Sequence, residues 1–174
     1  PLPFRVRLPD GKLITSTPLD NPLISQASVI DNGVTGGIII YLPTKTLAIR
    51  LYSPYMYGVL NTRVKNIECS DNSITDIIAV NALSVSASNC YLLTSFTSPK
   101  ATTSSFVNCS LSPESIGSFL IDAVENNPLE NGFASFTGGN NAYSNDIDNY
   151  LITRGTSLAT VISQLPNWII SLNA

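Results

Sequence analysis

A spacing of eighteen to nineteen residues recurs along the middle of this chain, and it limits the available architectures more than any single residue does. The clearest copy runs from Val64 to Ile74, where Val64, Ile67, Cys69, Asn72 and Ile74 fill the apolar and Asn positions of the template LxxLxLxxNxL. Eighteen positions on, Ala82 to Leu92 places Val85, Ala87 and Cys90 where Ile67, Cys69 and Asn72 stood. Nineteen further, Ala101 to Leu111 does the same with Ser104, Phe106 and Cys109. Ile49-Arg50-Leu51 offers an earlier copy, and Phe133 to Asn140 a last one after a longer interval. Units this short cannot bury an apolar face alone, so they stack on their neighbours. The expectation is a β-rich α/β solenoid from residue 47 to 174, with one short parallel strand per repeat.

Within a repeat, alternate strand residues point to opposite faces, which puts Ile67 and Cys69 inward and Glu68 and Ser70 outward. The chain must then turn sharply, leaving backbone groups unpaired inside the coil. A buried Asn can satisfy them, and Cys is tolerated there as a small residue with a weak donor. Asn72, Cys90 and Cys109 at one register form the most discriminating feature of the pattern. Ala82, Ala101 and Ser104 predict a thin core in the later copies.

The flanks read differently. Phe4, Val6 and Leu8 alternate with Arg5 and Arg7, Pro9-Asp10-Gly11-Lys12 supplies turn chemistry, and Leu13-Ile14-Thr15 returns, which predicts a hairpin. Pro18 and Pro22 argue for an extended arm from Ser16 to Asn32, and turns at Asp31-Asn32-Gly33 and Gly36-Gly37 precede a strand from Ile38 to Leu42. Residues 1–46 are thus expected to be an N-terminal β segment that anchors the remainder. Toward the other end, Ser112-Pro113-Glu114-Ser115 starts a helix whose Ile116, Phe119, Leu120, Ala123 and Val124 recur at helical spacing, up to Asn126-Asn127-Pro128. Further helices are expected over Asp146 to Thr153 and Ser157 to Leu165, and a last strand over Trp168 to Leu172.

The stretch from Phe106 to Asn173 carries Phe-Val-Asn-Cys-Ser-Leu-Ser-Pro-Glu-Ser-Ile, then Phe-Ala-Ser-Phe-Thr-Gly-Gly-Asn-Asn-Ala, then Arg154-Gly155 and Trp-Ile-Ile-Ser-Leu-Asn. It resembles the C-terminal cap of leucine-rich-repeat-like proteins found among tailed-phage virions and Bacteroidota surface proteins. The resemblance covers roughly residues 64 to 174. It departs at Arg154-Gly155, which an extra helical stretch separates from Trp168. It implies a structural or recognition role on a virion or cell surface, and it transfers no catalytic residue.

Chemistry is poorly provided for. The chain has no His, which removes the usual general base and commonest metal ligand. Its three cysteines include no CxxC pair, so neither a zinc site nor a cofactor is expected. An odd count also precludes a fully paired disulfide framework. Cys90 and Cys109 sit on adjacent coils, where disulfide geometry between parallel neighbours is seldom right, so buried free thiols are expected. Glu68 with Asp71, or Asp146 with Asp148, could serve a glycosidase, and Asp146 with Asp148 calcium, but solvation of exposed acids and the start of a helix are the better account of them. Gly36-Gly37 and Gly138-Gly139 lack the context of a phosphate loop and read as turns. The chain is expected not to be an enzyme.

Composition bears on partners. Only 12% of residues are charged, against about 25% in ordinary soluble domains, and the net charge is -3. Nucleic acid is a poor partner for such a surface, because phosphate binding relies on clustered cations. The longest apolar run, Ile38 to Leu42, is far short of a membrane span. The outward strand face is the natural platform, with Arg50, Tyr52, Asn66, Glu68, Ser84, Ser86 and Ser105 in rows. A second candidate is Tyr52-Ser53-Pro54-Tyr55-Met56-Tyr57, since Tyr and Met favour protein contacts and Tyr also stacks on sugars. The partners expected are other virion proteins or a surface receptor, with a homo-oligomer among the options. Pro1-Leu2-Pro3 leads straight into Phe4-Arg5-Val6 without a signal-peptide pattern, which favours a virion component over a bacterial surface protein.

Overall fold

Strand periodicity at the start of the chain gives antiparallel pairing, whereas the repeating region gives parallel pairing, because a strand that returns to the sheet after a crossover re-enters in the same direction. A computed structural model describes residues 5–7, 13–15, 17–18, 25–26, 39–41, 48–52 and 57–174. The chain divides into two units, Pro1–Thr46 and Leu47–Ala174.

In the first unit, β1 (Arg5–Arg7) lies between β2 (Leu13–Thr15) and β5 (Ile39–Tyr41), antiparallel to both. The hairpin register is Arg5 with Thr15 and Val6 with Ile14, within the segment expected to be a hairpin. The Pro9–Lys12 turn and the turns at Asp31–Gly33 and Gly36–Gly37 lie outside the described residues. Part of the expected extended arm is paired, β3 (Thr17–Pro18) running antiparallel to β4 (Ser25–Gln26).

The second unit is α/β, with mostly parallel strands in two sheets and helices toward its C-terminal end. Its strands are β6 (Ala48–Tyr52), β7 (Tyr57–Asn61), β8 (Asn66–Ser70), β9 (Ser73–Ile78), β10 (Ser84–Ser88), β11 (Ser95–Thr97) and β12 (Thr103–Cys109). There follow α1 (Pro113–Asn126), β13 (Phe133–Gly139), α2 (Ser144–Thr153), α3 (Leu158–Ser163) and β14 (Ile169–Leu172). The larger sheet has the order β14-β13-β12-β10-β8-β6 and the smaller β11-β9-β7, all pairs parallel. The register aligns Ile49, Ile67, Val85 and Ser104, and likewise Leu51, Cys69, Ala87 and Phe106, matching the sequence spacing. The expectation of one strand per repeat is corrected: a strand of the smaller sheet follows each of β6, β8 and β10. Its pattern is hidden in sequence because β9 buries Ile74 and Ile77, three residues apart, and the β7–β9 ladder shifts register between Gly58 and Val59.

The turns out of β8, β10 and β12 share one solution. Asp71, Asn89 and Asn108 all have positive φ (52°, 54° and 55°), a conformation that short polar side chains tolerate better than others. Their side chains link from turn to turn: Asn89 Nδ2 donates to Asp71 Oδ1 at 3.0 Å and Asn108 Nδ2 to Asn89 Oδ1 at 3.1 Å. At the next position inward, Asn72 Oδ1 accepts from the Ile74 N–H, while the Cys90 and Cys109 thiols donate to the Ser88 and Val107 carbonyls. The last copy differs from the expected ending at Asn140. Gly138 and Gly139 both take positive φ, and a Cβ on either would also meet Asn108 Oδ1 or the Cys109 carbonyl, so only glycine fits there. The two glycines displace the buried amide to Asn141, which accepts from the Leu111 N–H (3.0 Å) and donates to the Phe106 carbonyl (2.9 Å).

The core is fuller than the small residues imply. Ala82, Ala101 and Ser104 are fully buried, and rings supply the missing volume. Phe96 lies 4.3 Å from Phe106, 5.2 Å from Phe119 and 5.8 Å from Phe136, centroid to centroid, and Trp168 meets Phe119 edge-on. Helix α1 carries its predicted cap, Ser112 Oγ accepting from the Ser115 N–H, and buries Ile116, Phe119, Leu120 and Ala123. It also closes the edge of the smaller sheet, since Ser115 Oγ accepts from the Phe96 N–H at 2.9 Å and reaches the Phe96 carbonyl at 3.5 Å. Helix α3 and strand β14 lie within the expected segments, while α2 starts two residues earlier than expected, at Ser144 rather than Asp146.

Asn141→Ala leaves the buried Leu111 N–H without the acceptor that Asn141 Oδ1 supplies, at a cost of roughly 1–3 kcal/mol. Urea unfolding of the two proteins checks this, and a midpoint equal to wild type would show that Asn141 does not support the turn.

Candidate functional site: the outward face of the larger sheet

Alternation along the parallel strands gathers one polar face. Val85 and Ala87 are buried while Ser84, Ser86 and Ser88 stand on the other side, half-exposed, and the same alternation holds in β8. Register then builds rows across the sheet. One row runs Arg50, Glu68, Ser86, Ser105, Ser135, Ser171. Another runs Ala48, Asn66, Ser84, Thr103, Phe133, Ile169, and a third joins Tyr52, Ser70, Ser88, Val107 and Thr137.

The face is graded from end to end. At β6 and β8, Arg50 Nε meets Glu68 Oε2 at 2.7 Å, a solvent-facing ion pair worth about 0.5 kcal/mol. In the middle the face is hydroxyl, with Ser70 and Ser88 sharing a 2.9 Å hydrogen bond. At β13 and β14, Phe133 (39% exposed) and Ile169 (65% exposed) are direct register partners and form an apolar corner.

The structure therefore brings Arg50, Asn66, Glu68, Ser84, Ser86 and Ser105 onto one face. Tyr52 closes β6 of the larger sheet and Tyr57 opens β7 of the smaller. The side chains of both, and Tyr55 and Met56 entirely, lie outside the described residues. Sequence reasoning missed Ser135, Ser171 and the Phe133–Ile169 corner. The alternation in Phe133-Ala134-Ser135-Phe136 and Ile169-Ile170-Ser171-Leu172 could have placed them.

A second polar feature lies at the β11 edge. A groove of about 210 Å³ is lined by Ser95, Phe96, Thr97, Ser112, Glu114, Ser115 and Ser118. Beside it on β9, Asp76 accepts hydrogen bonds from Ser95 and from Thr75 (2.7 Å), and these hold its carboxyl below the usual aspartate range.

The acidic residues considered for chemistry have structural partners. Glu68 pairs with Arg50, Asp71 accepts from Asn89, and Asp148 Oδ1 accepts from the Leu158 N–H at 2.7 Å, which ties the start of α3 to α2. Asp146 lies in the first turn of α2, where negative charge suits the helix dipole. Among the described residues, no group of three or more Cys, Asp or Glu could hold a metal ion, and no helix is long and apolar enough to cross a membrane.

Cys69, Cys90 and Cys109 are free thiols, each at most 1% exposed. Burial pushes Cys69 from 9.0 up to about 12, helped by the neighbouring Cys90. The hydrogen bond shared by Cys90 and Cys109 draws Cys90 down and holds Cys109 up, with burial raising both. A folded-state value above the unfolded one means that Cys69 supports the fold fully below pH 9.0. That support fades between 9.0 and about 12, as the unfolded chain ionises and the folded one does not. Stability curves should therefore fall more shallowly over that window in Cys69→Ala than in wild type, and equal slopes would refute the assignment. In comparisons with known proteins, no family model, no curated protein and no solved structure matches this chain.

Proposed function

We propose that residues 47–174 form a short leucine-rich-repeat-like solenoid. In this reading the chain is a non-enzymatic structural or adhesive component of a virion, such as a capsid or tail accessory protein, working through contacts with other virion proteins or a host surface. The observation that carries it is the graded outward face of the larger sheet, a hydroxyl field bounded by one ion pair and one apolar corner. A pre-formed face of this kind suits docking, since its side chains are already ordered by strand register and lose little freedom on binding. The apolar corner of Phe133 and Ile169 supplies the anchor such interfaces use, and the serines supply hydrogen bonds around it. The eighteen-to-nineteen-residue stacking of β6, β8, β10 and β12 supports the solenoid reading, and residues 1–46 then serve as the anchor.

The test is co-sedimentation of the untagged chain with phage particles, in parallel with the variants Ser105→Arg and Ile169→Ser. The expected result is association by the wild type and a loss of about tenfold or more in each variant, equivalent to about 1.4 kcal/mol. A wild-type chain that stays in the supernatant, or variants that bind equally well, would overturn it.

The hydroxyl-lined groove between β11 and α1 favours a second reading, a bacterial surface protein that binds a host ligand or glycan. Binding of neutral oligosaccharides, measured by calorimetry and abolished in Thr97→Val, would replace the virion reading. Its absence across a broad panel would remove this one.

A further inference from the structure

Trp168 lies flat against Gly132, at the entry to β13. A Cβ built on Gly132 would lie 2.0 Å and 2.1 Å from the Cδ2 and Cε2 atoms of the Trp168 ring, so no larger residue fits. The ring is held from two further sides: Nε1 donates to the Asn127 carbonyl at 3.1 Å, and Phe119 meets it edge-on. The Gly132 carbonyl accepts from the Ile169 N–H at 3.0 Å, which sets the register of β14. One backbone position therefore fixes both the indole and the last strand.

The residue before it is Asn131, which is exposed, and among the described residues no hydrogen bond engages its side chain. The Gly132 N–H likewise makes no hydrogen bond among the described residues, because the ladder to β12 begins one residue later, with Phe133 N–H donating to the Thr102 carbonyl. An asparagine with a free carboxamide, followed by a glycine with an unengaged amide, is the arrangement that closes a five-membered imide. A side chain on the following residue would obstruct that attack, and here the Trp168 ring forbids one.

We propose that Asn131-Gly132 is a self-modification site whose conversion releases Trp168. Gly132 is buried, so base reaches its amide as the segment opens; the nitrogen, losing its proton, then attacks the exposed Asn131 at Cγ. The new N–C bond closes a succinimide as the carboxamide C–N bond breaks and ammonia departs. Water then adds to either imide carbonyl, leaving an aspartyl or an isoaspartyl residue at position 131. No electrons are transferred. The aspartyl product adds only a negative charge on an exposed loop. The isoaspartyl product inserts a methylene into the backbone immediately before Gly132, moving the glycine from under the indole and loosening the Ile169 bond. The packing that demands glycine thus maintains the labile pair.

The chain contains a single tryptophan, so its emission reports this site alone. The full chain is incubated in mildly alkaline buffer and sampled over time for peptide mapping and fluorescence. Mapping also separates Asn131 from the other Asn-Gly pair, Asn32-Gly33. The expected result is accumulation of isoaspartyl product in the 131–132 peptide with a parallel red shift of Trp168 emission, both absent in Asn131→Gln. Asn131→Asp should keep the native emission, because it adds charge without lengthening the backbone. A 131–132 peptide that stays intact in the folded chain while the urea-unfolded chain converts would overturn the site. Conversion without an emission shift, or the same shift in Asn131→Asp or in aged Asn131→Gln, would overturn its coupling to Trp168.

Discussion

A chain that returns to the same sheet every eighteen or nineteen residues must turn sharply at each return without burying unpaired backbone groups. An unsatisfied buried amide costs free energy on the scale of a lost hydrogen bond, and a repeating turn repeats the cost. The protein meets this constraint with two adjacent positions per turn. The first is an Asp or Asn in the left-handed region, bonded to its equivalent in the next turn, as Asp71, Asn89 and Asn108 are. The second points inward and is an amide or thiol directed at the turn's own backbone, as Asn72, Cys90 and Cys109 are. Where Gly138 and Gly139 stand at the registers of Asn108 and Cys109, the buried amide is supplied by Asn141 instead.

With turns of this shape, strand register follows, and register decides both the core and the surface. Inward rows stack Ile49 on Ile67 and Val85, then give way to rings as the strands approach α1. The phenylalanine cluster sits where alanine and serine leave room, and it is positioned by β11, β12, β13 and α1 together. The edge of the smaller sheet ends at a single hydroxyl, Ser115, which substitutes for the strand that α1 has replaced. This solves the general problem of an exposed strand edge without a further strand.

The outward rows are a by-product of the same register. Serines scattered at wide spacing in sequence are brought into one row because parallel register places one from each strand at the same height. The field has few charges to steer a partner from a distance, so in the proposed function recognition there would rest on shape, hydrogen bonding and the Phe133–Ile169 corner. A surface that offers order but little charge accords with lasting contacts better than with rapid capture.

Local chemistry alone determined much of this protein: the strand positions of the larger sheet, the Asn/Cys turn register, the Ser112 cap of α1 and the outward placement of Arg50, Asn66, Glu68, Ser84, Ser86 and Ser105. Those features depend on period-two alternation, on repeat spacing and on capping residues, all of which are written within a few positions of one another. The smaller sheet was not legible, because its register shift and its three-residue spacing of Ile74 and Ile77 break the alternation. Nor was the choice of Asn141 over Asn140, which depends on Gly138 and Gly139 meeting Asn108 and Cys109 from the preceding coil. The Phe133–Ile169 corner and the seat of Trp168 on Gly132 join residues more than thirty positions apart. Such contacts exist only once the parallel sheet has assembled, since no local preference distinguishes one distant neighbour from another.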